Sequence, residues 1–111
     1  MSPHDSVAQE TKWLQMRSCH RLNSRIPVRL EWTEASDHHL ADSYTMDVSR
    51  QGCLLISARE FALNQRIRLT NLATQQTVNG IMVWKSPNAQ PGWELGVELL
   101  NPPYDFWGLE I

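Results

Sequence analysis

The sequence predicts an all-β domain, a small antiparallel sandwich or barrel of six strands. Three observations predict it: apolar residues alternate with period two from Ile26, further short strand signals follow at the spacing of a small all-β unit, and turn-forming clusters separate them. A chain of 111 residues has room for one compact domain. With 41% apolar residues, five Trp and 20% charged residues, it can bury a sizeable core, which speaks against global disorder.

The elements follow in order. SVAQETKWLQM, residues 6 to 16, holds good helix formers, but Val7, Trp13, Leu14 and Met16 give only partial helical periodicity, so a short helix and a flexible arm both fit. Residues 1 to 16 are therefore an N-terminal arm or short helix, and residues 17 to 111 the β domain. From Ile26 the side chains of Ile26, Val28, Leu30 and Trp32 share one face, with Pro27, Arg29 and Glu31 on the other. This is a half-buried strand, and Pro27 suits its start or a sheet edge. ASDHHLADS, residues 35 to 43, reads as a polar loop. SYTMDV, CLLIS, QRIRLT, TVNGIMVWK and WELGVELL then read as strands. Asn71 to Gln75 closes one hairpin and SPNAQPG, residues 86 to 92, another. Gly80, inside its strand, marks a bulge of the kind that lets a sheet curl and close. The tail NPPYDFWGLEI packs Tyr104, Phe106 and Trp107 over an open barrel end or against a partner.

Composition also limits function. No window approaches the roughly 20 apolar residues of a membrane span, and the N-terminus has no apolar block, so a cytoplasmic protein without membrane insertion is expected. Cys19 and Cys53 match no zinc or redox spacing and read as reduced thiols. His38 and His39 follow Asp37, but adjacent residues diverge and no further ligand has metal spacing; they read as polar residues of a loop, with no metal site. No GxSxG, phosphate-loop or metal-hydrolase pattern occurs, so no catalytic residue is assigned and a non-enzymatic protein is expected.

Charge is distributed unevenly. The net charge is -2, yet residues 17 to 29 hold Arg17, Arg21, Arg25 and Arg29 with no acid, while residues 93 to 111 hold Glu94, Glu98, Asp105 and Glu110 with no Lys or Arg. The four-residue spacing invites a helix face, but Pro27 drives Ile26 out of the helical region and Asn23 and Ser24 are poor in helix interiors. Arg25 then stands in a loop at the entrance of a strand, without an acidic neighbour in sequence. An external anion accounts for it, because a planar guanidinium grips phosphate oxygens or a guanine edge bidentately and can stack on a base.

A second element matches the first. DVSRQG, residues 47 to 52, leads into CLLIS and has the residues of a tight inter-strand turn, with Gly52 expected to supply a permissive dihedral. Together, RLNSR (21 to 25) running into IPVRLEW and DVSRQG running into CLLIS resemble the PilZ family of cyclic di-GMP receptors. That family carries RxxxR immediately before its first barrel strand and [D/N]xSxxG at the next inter-strand turn. IMVWKSPNAQPGWELGVELLNP is similar to its later strand, hairpin and closing strand. The resemblance covers roughly residues 21 to 100.

The resemblance implies a six-stranded antiparallel barrel that binds the bacterial second messenger cyclic di-GMP. It assigns Arg21 and Arg25 to phosphate and guanine, Asp47 and Ser49 to a guanine base edge, and Gly52 to keeping the turn tight. Arg17, Arg50 and Trp84 are additional candidates, and His20 stands where some members carry a further Arg. Asn64 stands where the family frequently has Gly, and Asn tolerates the left-handed region. Binding is expected to order residues 15 to 24 and so alter contacts with a downstream protein partner. No cofactor is expected besides the ligand. The competing readings are a PilZ-like protein-interaction module without nucleotide binding and, more weakly, a single-stranded nucleic-acid barrel. The slightly acidic chain lacks the basic coverage that the last would need, and no DNA partner is expected.

Overall fold

The computed structural model describes residues 21 to 88 and 92 to 109, which form seven strands and no helix. These are β1 (Arg21–Leu22), β2 (Pro27–Glu34), β3 (Asp37–Ser49), β4 (Gly52–Ser57), β5 (Arg66–Asn71), β6 (Gln76–Pro87) and β7 (Trp93–Leu100). Neighbours run β3-β2-β5-β6-β7-β4, and a β3–β4 ladder closes the sheet into a six-stranded antiparallel barrel, with β1 added on β3. Among the described residues no helix is long and apolar enough to cross a membrane. The expected N-terminal arm or short helix, residues 1 to 16, lies outside the described residues, as does Cys19.

The inward rows are those the alternation requires. Ile26, Val28, Leu30 and Trp32 are all buried, together with Val48, Cys53, Leu55, Ile67, Leu69, Val78, Met82, Leu95, Val97 and Leu99. Each large side chain withdrawn from water in this way contributes roughly 1.5–3 kcal/mol. Burial pushes the Cys53 thiol pKa up, which makes it an unreactive core residue. On the outer face, Arg29 pairs across the ladder with Asp42 at 2.7 Å. The hydrogen bond from Arg29 holds the Asp42 carboxyl below its ordinary range and raises the guanidinium. Arg29 is thereby accounted for as an exposed surface ion pair, on the face its strand parity dictates.

Three expectations need correction. Residues 37 to 43 are not loop: β3 begins at Asp37 and pairs with β2 from Glu34↔Asp37 to Pro27↔Tyr44. The connection shrinks to Ala35 and Ser36, whose φ angles of 53° and 70° make the left-handed pair of a two-residue hairpin. The inward positions there are His39, Ala41 and Ser43, only half-buried, so this half of β3 has no apolar alternation to read. The Ser43 hydroxyl donates instead to the Ile56 carbonyl.

Gly80, secondly, is not a bulge. It pairs in register with Ile67 and Leu99, and the irregularity falls between Met82 and Trp84, with a second between Thr45 and Asp47 on β3. Gly80 serves close packing, because a Cβ there would sit 2.8 Å from Val97 Cγ1 and 3.2 Å from the Glu98 carbonyl oxygen. Gly80→Ala is therefore expected to lower stability by about 1–3 kcal/mol, read from the denaturant midpoint at unchanged slope. Thirdly, Gly52 is outside the left-handed region, as are Arg50 and Gln51, so the 47–52 turn needs no permissive dihedral.

The tail closes one end of the barrel. Phe106 and Trp107 are buried in the core cluster, edge to face at 4.8 Å. Fully buried Asn71 holds them: its Nδ2 donates to the Phe106 carbonyl at 3.0 Å while its Oδ1 accepts from the Ala73 N–H at 2.9 Å inside the β5–β6 turn. Tyr104 stays 84% exposed. Asn64, in the left-handed region at φ 70°, turns the chain ahead of β5.

Candidate functional site

The two sequence elements singled out by their arginines and their turn lie side by side. Chain 21–34 runs antiparallel to β3 throughout: Arg21 pairs with Ser49, Leu22 with Val48, and Pro27 with Tyr44. Between these pairs, residues 23 to 26 face the shorter run 45 to 47, so the arginine segment holds one residue more and bows outward. Hydrogen bonds fasten the bow along its length. The Ser24 N–H donates to the Met46 carbonyl at 3.0 Å, and the Thr45 N–H to the Ile26 carbonyl at 3.0 Å. The buried Thr45 hydroxyl donates to the Ser24 carbonyl at 2.6 Å and accepts from the Ile26 N–H at 2.9 Å. Asn23 Nδ2 donates to Asp47 Oδ1 at 3.0 Å.

Arg25 stands at the crest of this bow. It is exposed, and its guanidinium carbon lies 4.4 Å from the ring centroid of Tyr44, itself half exposed on the outer face of β3. Arg21 is placed by its backbone at the head of the same segment. Arg17 lies outside the described residues.

Two bulges organise the outer surface beside the bow. On β3, Met46 is the extra residue between the pairs Thr45↔Leu55 and Asp47↔Leu54, which leaves Thr45 facing the core and Asp47 on the outer face. On β6, Val83 is the extra residue between Met82↔Val97 and Trp84↔Gly96. A single outer row results: Asp47, Leu54, Gly96 and Trp84 on β3, β4, β7 and β6. It spans about 14 Å, three strand spacings. Leu54 and Val83 are buried, with Ile81 and half-buried Trp84 packed on them, as an apolar cluster separate from the core. Gly96 contributes no side chain between Leu54 and Trp84. The row is thus a low, apolar floor with a carboxylate at one end and an indole at the other. Leu54 and Gly96 were not sequence candidates; their only signal was a place opposite Asp47 and Trp84 across ladders that the sequence does not number.

In the turn itself, the residues divide their work. The Ser49 hydroxyl is buried and stays within the turn, accepting from the Gln51 N–H at 3.2 Å and donating to the Gly52 carbonyl at 3.4 Å. Its carbonyl accepts from Trp107 Nε1 at 2.8 Å, so the turn is tied to the closed end of the barrel. Gly52 starts β4, paired with Ser49 and Glu98. Exposed Arg50 donates from Nη2 to the Tyr104 hydroxyl at 3.2 Å and lies 4.8 Å from its ring centroid, at the rim of a cavity of about 610 Å³ lined by the tail from Pro103 to Leu109.

The structure thus brings Arg21, Arg25, Asp47, Ser49 and Gly52 into one neighbourhood, with Arg50 on the adjoining rim and Trp84 at the far end of the outer row. Among the described residues no group of three or more His, Cys, Asp or Glu could hold a metal ion. His38 contacts Glu31 at 3.3 Å and His39 stacks on Trp32 at 5.6 Å. Chemically, the arrangement offers guanidinium forks for anionic oxygens and a carboxylate acceptor for an N–H edge, beside a flat apolar strip.

The family model described as PilZ domain matches residues 15–105. No curated protein and no solved structure matches the chain.

Proposed function

Because the chain belongs to the PilZ domain family, we propose that it is a non-enzymatic receptor for cyclic di-GMP. Arg21 and Arg25 grip phosphate and guanine, and the Asp47 carboxylate accepts from the N1 and N2 hydrogens of a guanine, which arginines cannot read. Ser49 and Gly52 act chiefly by holding the turn that presents Asp47. Arg17, Arg50 and Trp84 add contacts, Trp84 by offering its ring to a base at the end of the outer row.

The observation that supports this reading is the fastening of residues 23 to 26 onto residues 45 to 47, which lays the RLNSR segment along the strand that leads into DVSRQG, with Asn23 bonded to Asp47. Arginines spaced four residues apart in the sequence, with no acid among them, repel one another, and a bound anion offsets that repulsion. Ligand relieves that repulsion and fixes the N-terminal segment against the barrel, and the changed surface is what a downstream protein partner meets.

Titration calorimetry with cyclic di-GMP, GTP and a short oligonucleotide tests the proposal. Heat with cyclic di-GMP alone is the expected result. Silence with all three favours a protein-interaction module instead, a reading to which the exposed Leu40, Tyr44 and Met46 on the outer face of β3 lend some weight.

A further inference from the structure

We propose that Tyr44 and Thr45, which belong to neither arginine nor turn motif, are positioning residues that set Arg25 for its ligand. The inference rests on the cyclic di-GMP reading and adds to it a reason why a loop arginine is ready to bind.

Thr45 holds the backbone on both sides of Arg25. Its one hydroxyl donates to the carbonyl of the preceding residue, Ser24, and accepts from the N–H of the following residue, Ile26. Thr45 is only 2% exposed, so these bonds lie out of water, where an unpaired carbonyl or N–H is costly and the pairing is correspondingly firm. The two peptide groups flanking Arg25 are thereby oriented by a residue of β3 and not by the loop itself. The N–H of Thr45 adds a third bond, to the Ile26 carbonyl.

Tyr44 does for the side chain what Thr45 does for the backbone. The guanidinium stacks over its ring at 4.4 Å, a cation–π contact that uses one face of the plane. The five N–H donors of an arginine lie in that plane and are not consumed by stacking, and the second face remains for a base. A freely rotating arginine loses much of its rotamer entropy on binding; one already stacked has lost part of it beforehand. Tyr44 is in place because β3 pairs Pro27 with Tyr44, so the ring stands beside the start of β2, two residues from Arg25 along the facing strand. Being 49% exposed, it contributes little to the core and can be changed without threatening the fold.

The test uses the full chain and two measurements, the Arg25 Nε–H resonance in labelled protein without ligand and the calorimetric affinity for cyclic di-GMP. In the wild type the resonance is expected to be shifted by the Tyr44 ring current. Tyr44→Leu keeps apolar bulk but removes the π face; it should abolish that shift and weaken binding about three- to fivefold, the worth of an exposed cation–π contact. Tyr44→Phe should restore both. Thr45→Val should weaken binding about tenfold, and Thr45→Ser, which returns the hydroxyl, should recover it.

A shift lost in Tyr44→Leu with affinity unchanged overturns the inference while leaving the cyclic di-GMP reading standing. A wild type that shows the ring-current shift but binds no cyclic di-GMP removes the reading beneath it, and the inference with it.

Discussion

Arg25→Ala is expected to abolish cyclic di-GMP binding, with affinity falling by at least about a hundredfold, the loss of two charge-assisted hydrogen bonds. Folding should scarcely notice. The side chain is exposed, and the interaction it loses, stacking on Tyr44, stabilises by only about 0.5–1 kcal/mol at an exposed site. The backbone bonds of residues 24 and 26 to β3 persist, because they run through Thr45 and Met46 and not through the arginine side chain. Calorimetry and a thermal melt of the same preparation check the prediction. Arg21→Ala should behave alike. A variant that binds as the wild type does would show that the guanidinium is not a ligand group, and one that unfolds would show that it is a structural group.

Trp107→Ala acts in the opposite sense, on the fold first. Trp107 is 5% exposed and packs edge to face on Phe106, and its Nε1–H bonds the Ser49 carbonyl. Removing a buried indole costs about 3–5 kcal/mol, a large share of the about 5–15 kcal/mol that a domain of this size has. The melting temperature should fall by more than about 10 °C. The same bond ties the DVSRQG turn to the closed barrel end, so cyclic di-GMP affinity should weaken as well, although the ring is not proposed to touch the ligand. Trp107→Phe, which keeps most of the packing and loses the hydrogen bond, should fall between the two. A denaturant-derived loss below about 1 kcal/mol for Trp107→Ala would mean the tail is not part of the cooperative unit.

How much of this was legible in the chain depended on distance along it. The β2 rows were legible because Ile26, Val28, Leu30 and Trp32 enter a core that every inward side chain must share. The β5–β6 turn was legible from Asn71, whose side chain caps it locally. The reading of Arg25 as a loop arginine needed only Pro27 and its effect on Ile26. The first half of β3 was illegible. Its inner side is filled by Ala41, Ser43 and a stacked His39, so polarity along the strand resembles that of a loop. Gly80 and Gly52 were misread for a related reason. A glycine signals either freedom of dihedral or want of space, and only the neighbours decide which.

By itself the sequence determined the period of the strands, the faces that enter the core and the two short elements to which the proposal assigns the ligand, since each is written in consecutive residues acting on their own backbone. Tertiary structure alone decided that Met46 and Val83 would be the extra residues, that Asp47 and Trp84 would therefore share one outer row, and that Tyr44 would lie beneath Arg25. Bulge positions and cross-strand neighbours depend on how a closed sheet reconciles the curvature of all its ladders at once, a sum over distant pairings that no single segment contains.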